Sequence, residues 1–308
     1  VRVYVPSRRA GRALAQALTQ AAGGGALILP QILPLGAFED EREGWPRDPQ
    51  DEDTDPDPAI PPAIGDMARR LSLTRLILAW GRALKGAIVW EDGAPVYGDR
   101  EANLVAATPA SAFALAHDLS QLIDEMIIEG VDWPRLDHLV TGDLDRYWEI
   151  TLRFLDIARE RWPQALKERG QIDAAARRAR LIAREARKLA EGKTGPVVAV
   201  GSTGTNAATA TLLAAIAASP KGAVVLPGLD RDLDDEAWNA IGWNKSAEAG
   251  FASGAGHPQA TLRRLLDLLG VARRDVIELE PPPPALALRG KFLSEALRPA
   301  ELTHRWRE

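Results

Sequence analysis

Val1-Arg2-Val3-Tyr4-Val5-Pro6-Ser7-Arg8-Arg9-Ala10-Gly11-Arg12-Ala13-Leu14 is the stretch on which the fold turns. Its β-branched opening, closed by Pro6, has the pattern of a short buried strand over residues 1–5. Ser7 stands where a side-chain oxygen caps a helix. Ala10, Leu14 and Leu18 then recur every four residues, which predicts a helix from 8 to about 19. Gly23-Gly24-Gly25 stops it, and residues 26–29, closed by Pro30, read as a second strand. A strand–helix–strand connection this short predicts a parallel pair with a right-handed crossover.

The same texture returns far downstream. Pro196-Val197-Val198-Ala199-Val200 is apolar, Gly201-Ser202-Thr203-Gly204-Thr205 is a turn, and residues 207–217 form an alanine-rich helix before a strand over 223–226. A helix over 258–269 and a strand near 276–279 extend this second βαβ layer, and the prolines at 281–284 are a stiff linker. Between the two halves the pattern is helical. A helix over 64–84 carries Met67, Leu71, Leu76, Trp80 and Leu84 along one face, and Thr108 caps a second, 109–129, that Gly130 ends. A third, 144–169, is kinked near Pro163, and Asp173 caps a fourth that reaches residue 190. The expectation is an α/β protein with a parallel sheet, discontinuous in sequence. Residues 1–36 and 195–280 form the α/β layer, 63–194 an inserted all-helical subdomain, and 281–308 a linker with the start of a further domain.

Composition bounds the chemistry. The chain has 308 residues, 46% of them hydrophobic, enough for a sizeable core. It has no cysteine, which excludes disulfides, thiol catalysis and ordinary structural zinc, and agrees with a cytoplasmic setting. His117, His138, His257 and His304 are too scattered for a metal site and read as structural or surface residues. No apolar run is long enough to span a membrane. The first residue is Val1, without a start Met or a signal peptide's apolar stretch, so a piece of a longer protein is expected. The net charge of −5 is concentrated in residues 39–57, which hold ten acids against Arg42 and Arg47. Residues 37–62 are therefore expected to be a disordered acidic loop. The remainder of the chain is net positive, which permits a role with DNA.

Two loops invite a nucleotide reading. Gly192-Lys193-Thr194 has a phosphate-loop tripeptide, but Arg187 stands where the motif needs its first glycine, and the order is helix then strand. Gly201-Ser202-Thr203-Gly204 does lie between strand and helix, where backbone amides hold anions, yet no lysine follows, and the strand runs into Gly201-Ser202 rather than an acidic pair. Asp124-Glu125 falls mid-helix on a solvated face. Asp230, Asp232 and Asp234 alternate like a calcium loop, but Asp235 replaces its glycine and Ile241 its glutamate, so a helix cap at Asp234 is the better reading. No catalytic, cofactor-binding or metal residue is assigned.

The basic residues give the candidate DNA contacts. Ser7, Arg8 and Arg9 sit where a strand hands over to a helix, at the carboxyl edge where open α/β sheets bind ligands. Arg177, Arg180, Arg184, Arg187 and Lys188 fall on one face of the fourth helix, opposite Ala175, Ala179, Ile182, Ala186 and Leu189. That face reads as a solvated basic surface, or one for nucleic acid or an acidic partner.

The segment 3–14, the stretch 196–204, Gly222-Ala223-Val224-Val225-Leu226-Pro227-Gly228-Leu229-Asp230, Ile32-Leu33-Pro34-Leu35-Gly36 and His257-Pro258-Gln259 together resemble the AddB subunits of bacterial AddAB helicase–nucleases. The resemblance spans nearly the whole chain. It implies a degenerate RecA-like (P-loop NTPase-like) sheet, in which residues 3–14 correspond to the helicase motif that touches single-stranded DNA. It also implies a non-catalytic part in recombinational double-strand break repair, with DNA and the AddA motor as partners. Ser7, Arg8 and Arg9 are carried over as DNA-backbone contacts. No cofactor belongs to this stretch; ATP with magnesium, and an iron–sulfur cluster, belong on that resemblance to the wider complex. Two other readings stay open: an α/β enzyme holding a nucleotide or phosphorylated metabolite at 201–204, and a protein-interaction module.

Overall fold

The strand Arg2–Val5 (β1) is hydrogen-bonded along both of its edges, to parallel strands drawn from opposite ends of the chain. The computed structural model describes residues 1–23, 27–35, 60–86, 90–91, 94–95, 108–138, 145–192, 195–242 and 254–307. From β1 the chain passes through α1 (Arg8–Ala21) to β2 (Gln31–Pro34). It continues through α2 (Asp66–Gly86), α3 (Pro109–Glu129), α4 (Asp145–Asp156), α5 (Trp162–Glu168) and α6 (Ala174–Ala190). A two-residue antiparallel pairing joins Trp90–Glu91 to Ala94–Pro95. The chain then returns to the sheet as β3 (Val197–Val200), α7 (Ala207–Ala218) and β4 (Gly222–Val225), followed by α8 (Asp235–Ala240), α9 (Ala260–Leu269) and α10 (Pro284–Ala296).

The sheet order is β2-β1-β3-β4, all parallel. Tyr4 lies in register with Leu33 on one side and Ala199 on the other. The two βαβ units thus share one sheet, discontinuous in sequence as expected and joined by the β1–β3 pairing. Val3, Tyr4, Val5, Val197 and Ala199 are buried, as are Leu212, Leu213 and Ile216 of α7. The chain divides into two compact units, Val1–Trp45 with Ile182–Glu308, and Pro46–Leu181, and the division falls inside α6.

Two expected strands are corrected. The second strand is not 26–29 but Gln31–Pro34, and Ile28 is 97% exposed. β2 is an edge strand, which accepts proline because one side of its backbone needs no donor; Pro30 and Pro34 bracket the pairing instead of ending it. No strand forms over 276–279. Ile277 and Leu279 are 85% and 79% exposed, in a segment without regular structure after a 3-10 turn, Arg273–Asp275. Within residues 281–308, expected to be a linker with the start of a further domain, Ser294, Arg298 and Arg305 hydrogen-bond to the loop after β4. The acidic stretch 39–57, Lys193-Thr194 and the side chain of His138 lie outside the described residues.

Inside the α/β unit the Tyr4 hydroxyl is enclosed. The Tyr4 hydroxyl, with no exposed surface, donates to Glu185 Oε1 of α6 at 2.6 Å, and Arg2 Nη1 reaches the same oxygen at 3.4 Å. Burial, with the Glu185 charge beside it, pushes the Tyr4 phenol above its ordinary range.

The helical unit has its own core, built from Leu73 and Ile77 of α2, Ala112, Ala116, Leu119 and Ile123 of α3, and Trp162 and Leu166 of α5. The expected kink before Pro163 is a π-helical turn, Ile157–Arg161. Asp173 directs its carboxylate inward, accepting from Trp162 Nε1 at 3.1 and 3.0 Å and pairing with Arg69 Nε at 2.8 Å. Asp124, expected on a solvated face, is half-buried and accepts from Arg69 Nη1 at 2.8 Å. A helical wheel shows which face a residue occupies but not what is packed over it, and α2 covers this one.

Tyr4→Phe leaves the buried Glu185 carboxylate without its closest donor and is expected to lower stability by about 1–3 kcal/mol in urea unfolding, a loss largely recovered when Glu185→Met is added. Arg69→Met strands the Asp173 charge in the helical core. The expected cost is about 3–5 kcal/mol by the same measurement, against under about 1 kcal/mol for the exposed Arg135→Met as control.

Candidate functional site

In order β2-β1-β3-β4 the chain leaves β1 toward one side of the sheet and leaves β3 toward the other. The carboxyl ends of β1 and β3 therefore open between two loops that diverge, the place where ligands enter open parallel sheets. After β1 comes Pro6-Ser7, and the extended backbone of Ser7 (φ −148°, ψ 162°) turns its Oγ to accept from Ala10 N at 3.2 Å, capping α1 as expected. After β3 comes Gly201-Ser202-Thr203-Gly204-Thr205-Asn206, and Asn206 caps α7 by accepting from Thr209 N at 2.8 Å.

The two loops start side by side. A Cβ on Gly201 would lie 3.8 Å from Pro6 Cδ, and Gly201 and Gly204 hold φ of 78° and 66°, backbone that favours glycine. Ser202 is buried, with its Oγ accepting from Gly204 N at 3.4 Å, while the Thr203 and Thr205 hydroxyls share a bond at 2.9 Å. Arg264 of α9 donates to the Thr205 carbonyl and holds the far end of the loop. The groups offered at this junction are hydroxyls, backbone amides at two helix starts, and guanidinium groups.

Arg8 and Arg9 are exposed in the first turn of α1, which contains no acidic residue. The helix macrodipole makes this end positive, so each cation there costs about 0.3–1 kcal/mol in the absence of an anion.

The expected basic face of α6 is corrected. Arg180 and Arg187 are exposed, but Arg177, Arg184 and Lys188 are half-buried, and burial pulls the guanidinium of Arg178 below its ordinary range. Ala175, Ile182, Ala186 and Leu189 are buried as their spacing predicts, whereas Ala179 is only partly so. Leu181 and Glu185, at the margin of the basic stripe, are buried too, so α6 is covered around more than its apolar face. The five bases are also divided: Arg177 and Arg180 belong to the helical unit, and Arg184, Arg187 and Lys188 to the α/β unit.

The loop after β4 closes the same carboxyl edge and is rigidly built. Asp230 accepts from Asp232 N and Leu233 N, both at 3.0 Å, and Asp234 caps α8 by accepting from Ala237 N at 2.8 Å. These aspartates hold backbone, as the cap reading of Asp234 required. Gln259 acts as a clamp. Its Oε1 accepts from Asp230 N at 3.1 Å and its Nε2 donates to Gly228 O at 2.9 Å, replacing a neighbouring strand. His257 positions Gln259 by accepting from its backbone N at 3.1 Å, with its other ring nitrogen 2.7 Å from Leu297 O. The clamp was invisible in sequence as a mechanism; the only trace was the tripeptide His257-Pro258-Gln259. No protein-family model, curated protein or solved structure matches the chain.

The Ala237 amide, and after it the Arg298 guanidinium at 2.5 Å, holds the Asp234 carboxyl down at about 2. A folded value below the ordinary aspartate value near 4 means this stabilisation is complete above about pH 4 and is lost as pH falls toward 2. Asp234→Ala is expected to lower stability by about 1 kcal/mol at pH 7 from the lost cap alone. The difference from the parent protein should shrink between pH 4 and pH 2 when urea midpoints are compared.

Proposed function

We propose that this chain is the inactivated, RecA-like part of an AddB-type subunit, binding DNA and scaffolding a helicase–nuclease that resects broken DNA in the bacterial cytoplasm. The observation that carries the reading is the junction of β1 and β3: one parallel sheet whose adjoining strand ends present Ser7-Arg8-Arg9 and Gly201-Ser202-Thr203-Gly204 where a motor would carry carboxylates. The residues that form this junction are the ones on which the AddB resemblance rests. Among the described residues no helix is long and apolar enough to cross a membrane.

In this role Ser7, Arg8 and Arg9 bind a backbone phosphate at the amino end of α1, with the arginines supplying charge and the helix-start amides supplying direction. Contacts of this type set register on the strand without reading bases. The exposed bases of α6, Arg180 and Arg187, are secondary candidates, and Arg177, Arg184 and Lys188 serve there with only part of each side chain accessible. The AddA motor is the protein partner, and ATP, magnesium and any iron–sulfur cluster belong to other parts of the assembly. Hydrolysis is not assigned to this chain.

Fluorescence titration of a labelled single-stranded oligonucleotide tests the reading. Affinity should fall with salt by about 0.7 log units per log of salt for each phosphate contact, and Arg8→Ala/Arg9→Ala should reduce that slope by roughly 1.4. A salt-independent signal, or a slope the double variant leaves unchanged, sinks the proposal. Calorimetry with ATP and magnesium supplies the opposing arm. Micromolar binding lost on Gly201→Val would instead favour a nucleotide-using enzyme.

A further inference from the structure

His257 is held by two backbone groups whose roles cannot be exchanged. The Gln259 N–H, which can only donate, lies 3.1 Å from Nδ1, and the Leu297 carbonyl, which can only accept, lies 2.7 Å from Nε2. Nδ1 must therefore offer a bare lone pair and Nε2 must carry the proton. One form of the ring satisfies both partners, the neutral imidazole with its hydrogen on Nε2.

The ring joins three pieces of chain. Nδ1 fixes the Gln259 backbone at the entrance to α9, whose N-cap residue Gln259 makes no capping bond with its own side chain. That side chain is committed to the loop after β4, where it accepts from Asp230 N at 3.1 Å and donates to the Gly228 carbonyl at 2.9 Å. Nε2 holds the end of α10 at its C-cap, Leu297. A single imidazole thus keeps α9, the loop after β4 and the C-terminal segment in register.

A proton added at Nδ1 breaks this arrangement on two counts. It turns an acceptor into a donor facing another donor, and it puts a cation at the amino end of α9, the end where the helix dipole disfavours positive charge. No carboxylate offsets this. The first turn of α9 has no acidic residue, and among the described residues no acid pairs with His257. The charged groups on the surrounding elements are engaged elsewhere or open to water. Asp230 holds Ser294 and two loop amides, and Asp234 and Glu295 hold Arg298. Arg231, Arg263 and Arg264 donate to backbone carbonyls, Arg273 pairs with Asp235, and Asp232 is exposed.

We propose that His257 is a pH-operated pin: the neutral ring fastens the loop after β4 and the C-terminal segment to the start of α9, and its protonation releases them. The fastened state belongs to the higher pH and is lost as pH falls through the range in which histidine takes up a proton, about pH 8 to 5. The pin rests on the bonds around one ring and stands whether or not Ser7, Arg8 and Arg9 bind a phosphate.

Two measurements on the purified full chain test it. Nitrogen NMR of the imidazoles reads the tautomer: at about pH 8, His257, assigned by the resonances that vanish in His257→Asn, should show a bare Nδ1 and a protonated Nε2. Hydrogen exchange, corrected for the intrinsic pH dependence of amide exchange, reads the release. Between about pH 8 and pH 5 the peptides covering 228–233 and 292–298 should lose about three- to tenfold of their protection, the contribution of one hydrogen bond, while β1 and β3 keep theirs. Asp234, held at about 2, does not titrate in this window. His257→Asn keeps an acceptor within reach of the residue-259 amide but takes up no proton, so its protection should stay level with pH whatever its absolute value. A ring protonated on Nδ1 at the upper pH overturns the proposal, as does protection in the parent chain that pH leaves unchanged, or a fall that His257→Asn reproduces.

Discussion

Everything in the α/β unit depends on β1 having a neighbour on each side. Residues 2–5 supply only four peptide groups, buried among Val3, Tyr4 and Val5, and a buried backbone tolerates almost no unpaired donor or acceptor. The local partner, β2, satisfies one edge. The other is satisfied by β3, nearly two hundred residues later, so the sheet cannot close until the whole helical region has been made. A two-stranded parallel ribbon has little stability of its own. Tyr4 tightens the dependence, because its hydroxyl must find Glu185 in α6 once water is excluded.

That pairing also creates the junction. Pro6-Ser7 and Gly201–Gly204 become neighbours only because β1 and β3 do, and the positive backbone angles of Gly201 and Gly204 let the second loop turn tightly there. The groups gathered there are hydroxyls, backbone amides and guanidinium groups. Ser7 and Asn206 cap the two helices that start there, and Arg8 and Arg9 stand exposed in the first turn of α1.

The loop after β4 shows how such an edge is kept rigid. Asp230 and Asp234 direct oxygens to nearby amides, Gln259 bridges the loop across both a carbonyl and an N–H, and Arg298 and Arg305 anchor the C-terminal segment on Asp234. Of the three alternating aspartates, Asp230 and Asp234 hold nearby backbone amides and, from 64 positions away, the Ser294 hydroxyl and the Arg298 guanidinium.

Local patterns were enough for the elements whose signals are local. The Ser7 and Thr108 caps, the stop at Gly130, the disturbance before Pro163 and the apolar strands 2–5 and 197–200 were all legible, because capping, left-handed glycine and β-branched runs act over a few residues. The placement of Ser7-Arg8-Arg9 at a strand-to-helix handover was legible for the same reason. What tertiary structure alone decided is which apolar run becomes a strand and which charge becomes buried. Residues 26–29 and 276–279 look like strands but have no partner edge, while Gln31–Pro34, between prolines, has one. The α6 stripe looks uniformly solvated, yet Leu181 and Glu185 beside it are covered and three of its bases are half-enclosed. Sequence periodicity assigns each side chain a direction; only the element packed in that direction determines whether it meets water, a partner or another strand.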